Sequence, residues 1–211
     1  MQASPVTLEP RTVRARPVRA TDAGDRAPIP HLRLRWLPWV YAVLLIVTRL
    51  LSSQSLEHDE AEQVLFAQRL EWGYSLQPPL YTWITWLSFQ LFGTNLFAIA
   101  TVKAGLLLGL FALMGRLLKR VGAPDDAAAA AGMTLLFCHF FAWNVSLNIT
   151  HTLLSAALFA AVLLEAVRLM EHQSATRYAL LGLLAGLGVL AKYNFAVFAV
   201  ALLLGALTVP A

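Results

Sequence analysis

The sequence predicts an all-α, polytopic membrane protein with about six transmembrane helices and short interfacial helices in its first outside loop. Three observations predict it. Of 211 residues, 58% are hydrophobic and 13% charged, with a mean hydropathy of +0.63, and a soluble domain of this size needs more polar surface to stay in water. The apolar residues fall in long runs, which marks lipid as the solvent. The 16 Lys and Arg residues are also sorted: if the N-terminus is cytoplasmic, twelve lie inside and only Arg49, Arg69, Lys103 and Lys192 lie outside or at that membrane edge, as the positive-inside rule expects. The predicted location is the inner (plasma) membrane, multi-pass, with the active face outside.

Residues 1–35 carry seven arginines against Glu9, Asp22 and Asp25, are rich in Pro and Ala, and lack apolar periodicity. They read as a disordered basic cytoplasmic tail. Without interleaved aromatics, and running straight into a span, the tail does not point to nucleic acid. No A-x-A-like site follows the first apolar run, so a cleavable signal is not indicated. The membrane domain occupies 36–211. Its first span runs from Trp36 to Ser53, with Trp36, Trp39 and Tyr41 at an interfacial belt. A polar stretch to about Gln77 follows, then apolar runs at Leu96–Leu118, Ala127–Trp143, Thr152–Met170 and Tyr178–Val209. Lys192-Tyr193-Asn194 interrupts the last run, predicting two short or tilted helices that meet at a polar hinge. Gly105-x-x-x-Gly109 and Gly182-x-x-x-Gly186 are spacings that allow close helix packing. Cys138 is the single cysteine, so no intrachain disulfide forms.

The first outside segment holds five of the twelve acids: Glu57, Asp59, Glu60, Glu62 and Glu71. Asp59 with Glu62 three residues later forms a capping-box-like start for a short surface helix. Asp59 is then either a cap or a general base. Adjacent helical residues point roughly 100° apart, so Asp59 and Glu60 have different partners, and one well-placed carboxylate suffices for general-base chemistry. Downstream, Pro78-Pro79 interrupts the chain in Gln77-Pro78-Pro79-Leu80-Tyr81-Thr82-Trp83. This is either an interfacial turn with Tyr81, Trp83 and Trp86 as anchors, or a rigid bend aiming Gln77 and Tyr81 at a headgroup. Lys103 and Lys192 sit in or beside apolar runs, where each either snorkels or serves a ligand. Asn144, Asn148, His151 and Thr152 form another polar cluster, which suits an interfacial turn or a phosphate or metal contact through His151.

The order of first span, Asp59-Glu60, about fifteen helical residues, Gly73-Tyr74 and then Pro78-Pro79-Leu80-Tyr81-x-Trp83 resembles the GT-C membrane glycosyltransferases. It is most similar to the branch of protein O-mannosyltransferases and the bacterial enzymes that add aminoarabinose or galacturonate to lipid A. The similarity covers roughly 36–210. It implies transfer of a sugar from a polyprenyl-phosphate donor to a lipid, glycan or protein acceptor at the outer face.

On that resemblance, Asp59 matches the catalytic carboxylate and Glu60 the second acid, with a supporting or ligand-binding role. Gln77 falls where some members place a lysine on the carrier phosphate, and a neutral amide cannot balance that charge. The cation passes to Lys103 or Lys192, with Lys192 favoured because related enzymes carry a small-Lys segment there. Tyr81, His151 and Tyr193 complete the expected substrate contacts. No ligand set for a metal appears, so no cofactor is assigned and a divalent metal stays open. The expected partners are the sugar donor, the acceptor and membrane lipids. Family members have more spans and an outside C-terminal domain, which leaves an inactive fragment as one alternative. A non-catalytic lipid-binding or assembly protein is the other.

Overall fold

The computed structural model describes residues 36–53, 55–124, 132–138 and 150–208. The tail over 1–35, most of the run Ala127–Trp143, and Asn144 and Asn148 lie outside the described residues. Those described form α1 (Leu37–Ser52), α2 (His58–Phe66), α3 (Leu80–Phe92), α4 (Leu96–Arg120), a 3-10 helix (Gly132–Phe137), α5 (His151–Glu171), α6 (Ala175–Ala191) and α7 (Phe195–Leu207). No strand occurs among them; Tyr74 and Gln77 form one isolated antiparallel bridge.

Local chemistry sets the helix ends. Pro38 stands at the start of α1, where its missing N–H costs nothing. Gly93, at φ 79°, ends α3 in a conformation that favours glycine. Asn95 then caps α4 by accepting the Ala98 N–H at 2.9 Å, and Lys119 and Arg120 complement the helix dipole in its last turn. Ser174 caps α6, accepting from the Arg177 N–H at 3.3 Å.

α4 is central: α1, α3 and α5 pack on it, and α6 packs on α5. The main core joins Ala42 and Leu45 of α1, Ala104, Leu107, Leu110 and Phe111 of α4, and Leu153, Ala157 and Ala160 of α5. α4 and α5 are each long and apolar enough to cross a membrane, and α1, α6 and α7 are shorter apolar helices. Trp39, Val43 and Leu44 of α1 and Val197, Leu203 and Leu204 of α7 face outward. The polarity of α3 is reversed, with Thr82, Thr85 and Ser88 inside and Leu87 and Leu91 outside. Outward apolar faces over inward hydroxyls suit a lipid surround.

α6 ends at Ala191 and α7 begins at Phe195, so the last apolar run does break at Lys192-Tyr193-Asn194. Phe195 closes this hinge. Its ring lies across Gly188, where an added Cβ would stand 2.2 Å from Phe195 Cε1, and packs on Phe159 at 4.6 Å. The close approach is therefore at Gly188. A Cβ on Gly105, Gly109, Gly182 or Gly186 would meet nothing within 4 Å among the described residues.

Candidate active site

Glu60 is fully buried, on the inward face of α2. Its Oε1 accepts from Arg49 Nε at 3.1 Å and from Lys103 Nζ at 3.0 Å. Its Oε2 accepts from Arg49 Nη2 and from the Glu57 N–H at 3.2 Å. Burial pushes the Glu60 carboxyl up, but the Arg49 hydrogen bonds and the Lys103 charge outweigh it and hold the group below the ordinary carboxylate range. Arg49 also donates to the carbonyls of Ser53 and Ser55, both at 2.8 Å. One guanidinium thus fixes the end of α1, the loop and α2 together. The capping box is Glu57 with Glu60, two residues before the Asp59–Glu62 pair expected, because Glu60 is the member that finds buried cations.

Asp59 turns away from this cluster, and its side chain is 33% exposed. Thr150 Oγ1 is 3.5 Å from Asp59 Oδ2, and His58 Nδ1 is 3.8 Å from Oδ1. Thr150 leads into α5, whose first two residues also point into the site. His151 Nε2 lies 3.2 Å from Gln63 Nε2, and His151 Nδ1 lies 3.3 Å from the Ala191 carbonyl. Lys192 Nζ donates to Thr152 Oγ1 at 2.7 Å. Among the described residues no carboxylate is paired with Lys192. The tripeptide Thr150-His151-Thr152 therefore touches Asp59 on one flank and Lys192 on the other. Tyr193 is 54% exposed, and its hydroxyl lies over Gly73, 3.9 Å from where a Cβ would stand.

The segment between α2 and α3 is braced. Tyr74 and Gln77 exchange backbone hydrogen bonds at 3.0 and 2.8 Å, across a tight turn in which Ser75 takes φ 51°. The Tyr74 hydroxyl donates to the Arg69 carbonyl at 2.6 Å and accepts from the Glu71 N–H at 2.8 Å. Gln77 is half-buried, and among the described residues its side-chain amide has no hydrogen-bond partner. Leu70, Glu71, Trp72, Trp83, Trp86 and Leu87 line an open groove of about 480 Å³ alongside. Tyr81 is not the outward-facing interfacial anchor that one of the two readings of its segment expects. It is fully buried against Val102, Leu154 and Ala191, 5.1 Å from the His151 ring, because it lies on the face of α3 turned to α4 and α6. Its hydroxyl finds no partner among the described residues.

The structure thus brings Asp59, Glu60, Lys103, His151, Lys192 and Tyr193 to one end of the bundle. It separates them into a closed cluster (Glu60, Lys103) and an accessible pair (Asp59, Lys192). Sequence reasoning missed Gln63 and Thr82, both fully buried and joined by a 3.0 Å bond from Thr82 Oγ1 to Gln63 Oε1. It also left Arg49 without a role. The available signals were Gln63 four residues after Asp59 and an arginine inside an apolar span. No three His, Cys, Asp or Glu side chains converge as metal ligands among the described residues.

The sequence profile of the dolichyl-phosphate-mannose-protein mannosyltransferases matches residues 76–210. Lipopolysaccharide core galacturonosyltransferase RgtB of Rhizobium johnstonii is 35% identical over 182 residues, 82% of this chain and 36% of that protein. Lipopolysaccharide core galacturonosyltransferase RgtA of the same organism is 37% identical over 170 residues, 79% of this chain and 34% of that protein. The chain spans about a third of the length of these relatives. No solved structure matches it. With more than half of its length matched by the profile, the chain belongs to the dolichyl-phosphate-mannose-protein mannosyltransferase family.

Proposed function

We propose that the chain serves a membrane glycosyltransferase that moves a sugar from a polyprenyl-phosphate donor to an acceptor hydroxyl at the outer face of the inner membrane. The observation that carries this reading is the placement of Asp59 and Lys192 on opposite flanks of one helical turn, Thr150-His151-Thr152. Asp59 takes the proton of the acceptor hydroxyl as its oxygen attacks the anomeric carbon. The bond from that carbon to the phosphate oxygen breaks, and the polyprenyl phosphate leaves with the electron pair. Lys192 supplies positive charge and donors to the departing phosphate. Glu60 supports Asp59 by fixing α2, and Lys103 supports Glu60. Gln77 and Tyr193 flank the donor, while His151 and Tyr81 shape the site from beneath.

The names of the relatives point to galacturonate as the sugar and a lipopolysaccharide core as the acceptor. The reading also places a basic tail over 1–35 in the cytoplasm and a membrane domain of about six spans from residue 36. It is supported by the distribution of basic residues.

The test is transfer of labelled galacturonate from its polyprenyl phosphate to lipopolysaccharide core, in membranes carrying the protein. Asp59→Asn should abolish transfer with membrane insertion intact, and Lys192→Ala should weaken retention of the polyprenyl phosphate. Full transfer by Asp59→Asn would sink the assignment. Donor binding by the wild type without turnover would favour the non-catalytic alternative.

A further inference from the structure

We infer that Thr82, Gln63 and His151 form a positioning chain that fixes the separation between Asp59 and Lys192. The inference rests on the roles given to those two residues under the proposed function. The polarity of the chain follows from what each atom can do. The Ala191 carbonyl only accepts, so His151 Nδ1, at 3.3 Å, carries the hydrogen. Neutral imidazole then has an acceptor at Nε2, which the Gln63 amide NH₂ fills at 3.2 Å. That orientation turns Gln63 Oε1 toward the Thr82 hydroxyl, which donates at 3.0 Å. Every link is buried, so a missing partner leaves a desolvated polar group.

Its two ends give the chain its consequence. Gln63 lies four residues after Asp59 on α2, so the two share a helix face one turn apart. Ala191 immediately precedes Lys192. Running through α3, α2, α5 and the end of α6, the chain ties the carrier of the base to the carrier of the cation. His151 is flanked by Thr150, which touches Asp59, and by Thr152, which touches Lys192. A purely structural polar cluster has no need to end beside both reacting groups. Hydrogen bonds through a planar amide and a planar ring also fix direction as well as distance, which apolar packing does not.

The test separates position from stability. In a background with Cys138→Ser, spin labels at two exposed positions, Leu65→Cys on α2 and Val197→Cys at the start of α7, five residues after Lys192, report the distance from α2 to the hinge that carries Lys192. A narrow distribution is expected without further change. Gln63→Leu, which removes both of its side-chain bonds, should broaden or shift it. The same variant should lower kcat about 10- to 100-fold, as small misplacements do, with a smaller change in the KM for polyprenyl-phosphate galacturonate, since the charge of Lys192 is kept and only its placement shifts. Thr82→Val should reproduce the defect, and Thr82→Ser, which keeps the hydroxyl, should reverse it. An unchanged distribution in both Gln63→Leu and Thr82→Val, or a loss expressed wholly in KM, would overturn the positioning role. If Asp59→Asn transfers sugar normally, the catalytic reading falls, while the label distances still decide whether the chain sets the spacing.

Discussion

Two buried glutamates at opposite ends of the bundle are each held by two cations, and they differ in one respect. Glu60 is enclosed with Arg49 and Lys103, whose side chains are 5% and 1% exposed. Glu165 meets Arg168 Nη1 at 3.3 Å and Arg177 Nη1 at 3.1 Å, but those side chains are 30% and 32% exposed. At the Glu165 end the pair with Arg177 ties α5 to α6 while the pair with Arg168 lies within α5, and Arg120 with Glu171 adds a surface pair between α4 and α5. At the Glu60 end no member reaches water, and a residue beside the cluster, Asp59, is left accessible. The closed charge cluster holds α2 in place beside an accessible Asp59; the open one staples helices together.

The largest effect should therefore follow Glu60→Gln. It strands Arg49 and Lys103 in the interior, and breaking a buried pair from one side costs about 3–5 kcal/mol. Thermal unfolding in detergent should show it, with loss of α2 docking seen as protease sensitivity between α1 and α3. The pH dependence has a definite sign. The folded-state value of Glu60 is lowered, so its contribution is complete above the ordinary glutamate value of about 4.3. It is lost as pH falls through the lowered folded value. Glu60→Gln should remove that acid limb; an unchanged limb would assign it to another carboxylate.

Next in size is Gly188→Ala. The new methyl would stand 2.2 Å from the Phe195 ring, and forcing a methyl into packed space costs about 1–3 kcal/mol. Because Phe195 closes the hinge that presents Lys192, the substitution should also broaden label distances between α2 and α7. A paired Phe195→Leu should recover part of the stability by vacating the ring space. If Gly188→Ala is neutral, the hinge is held from elsewhere.

The limits of sequence reading follow from this geometry. The apolar helix α1, the break at Lys192 and the short helix after Glu57 were legible because each is written in neighbouring residues: an apolar run, a lysine within one, an i to i+3 acid pair. That last spacing occurs twice, in Glu57–Glu60 and Asp59–Glu62, and local chemistry cannot choose between them. The choice is made by Arg49, 11 residues back, and Lys103, 43 ahead. The spacing of Gln63 from Asp59 marks a shared helix face but not its partner, because His151 is 88 residues away. Tyr81 looked interfacial because aromatic type marks a membrane belt only when the side chain faces outward, and orientation comes from packing.

Glu165→Gln should sharpen the contrast from the other end. Arg168 and Arg177 can extend into water when their partner is neutralised, so the cost should be about 1 kcal/mol or less, the range of partly exposed pairs. Sugar transfer should persist. A loss as large as that of Glu60→Gln would mean the two clusters are equivalent and would remove the argument from enclosure.

The smallest effect on stability should come from Asp59→Asn, and it is the most informative. Asp59 is only 3.5 Å from one hydroxyl and 3.8 Å from an imidazole, so an amide of the same shape should alter stability by no more than about 0.5 kcal/mol. The same change removes the proton acceptor, and general-base loss lowers rates by about 10²- to 10⁴-fold. Unfolding curves that superimpose while turnover disappears would separate the two neighbouring carboxylates by role. An Asp59→Asn protein destabilised like Glu60→Gln would place Asp59 in the clamp instead, and the base would then have to be sought outside α2.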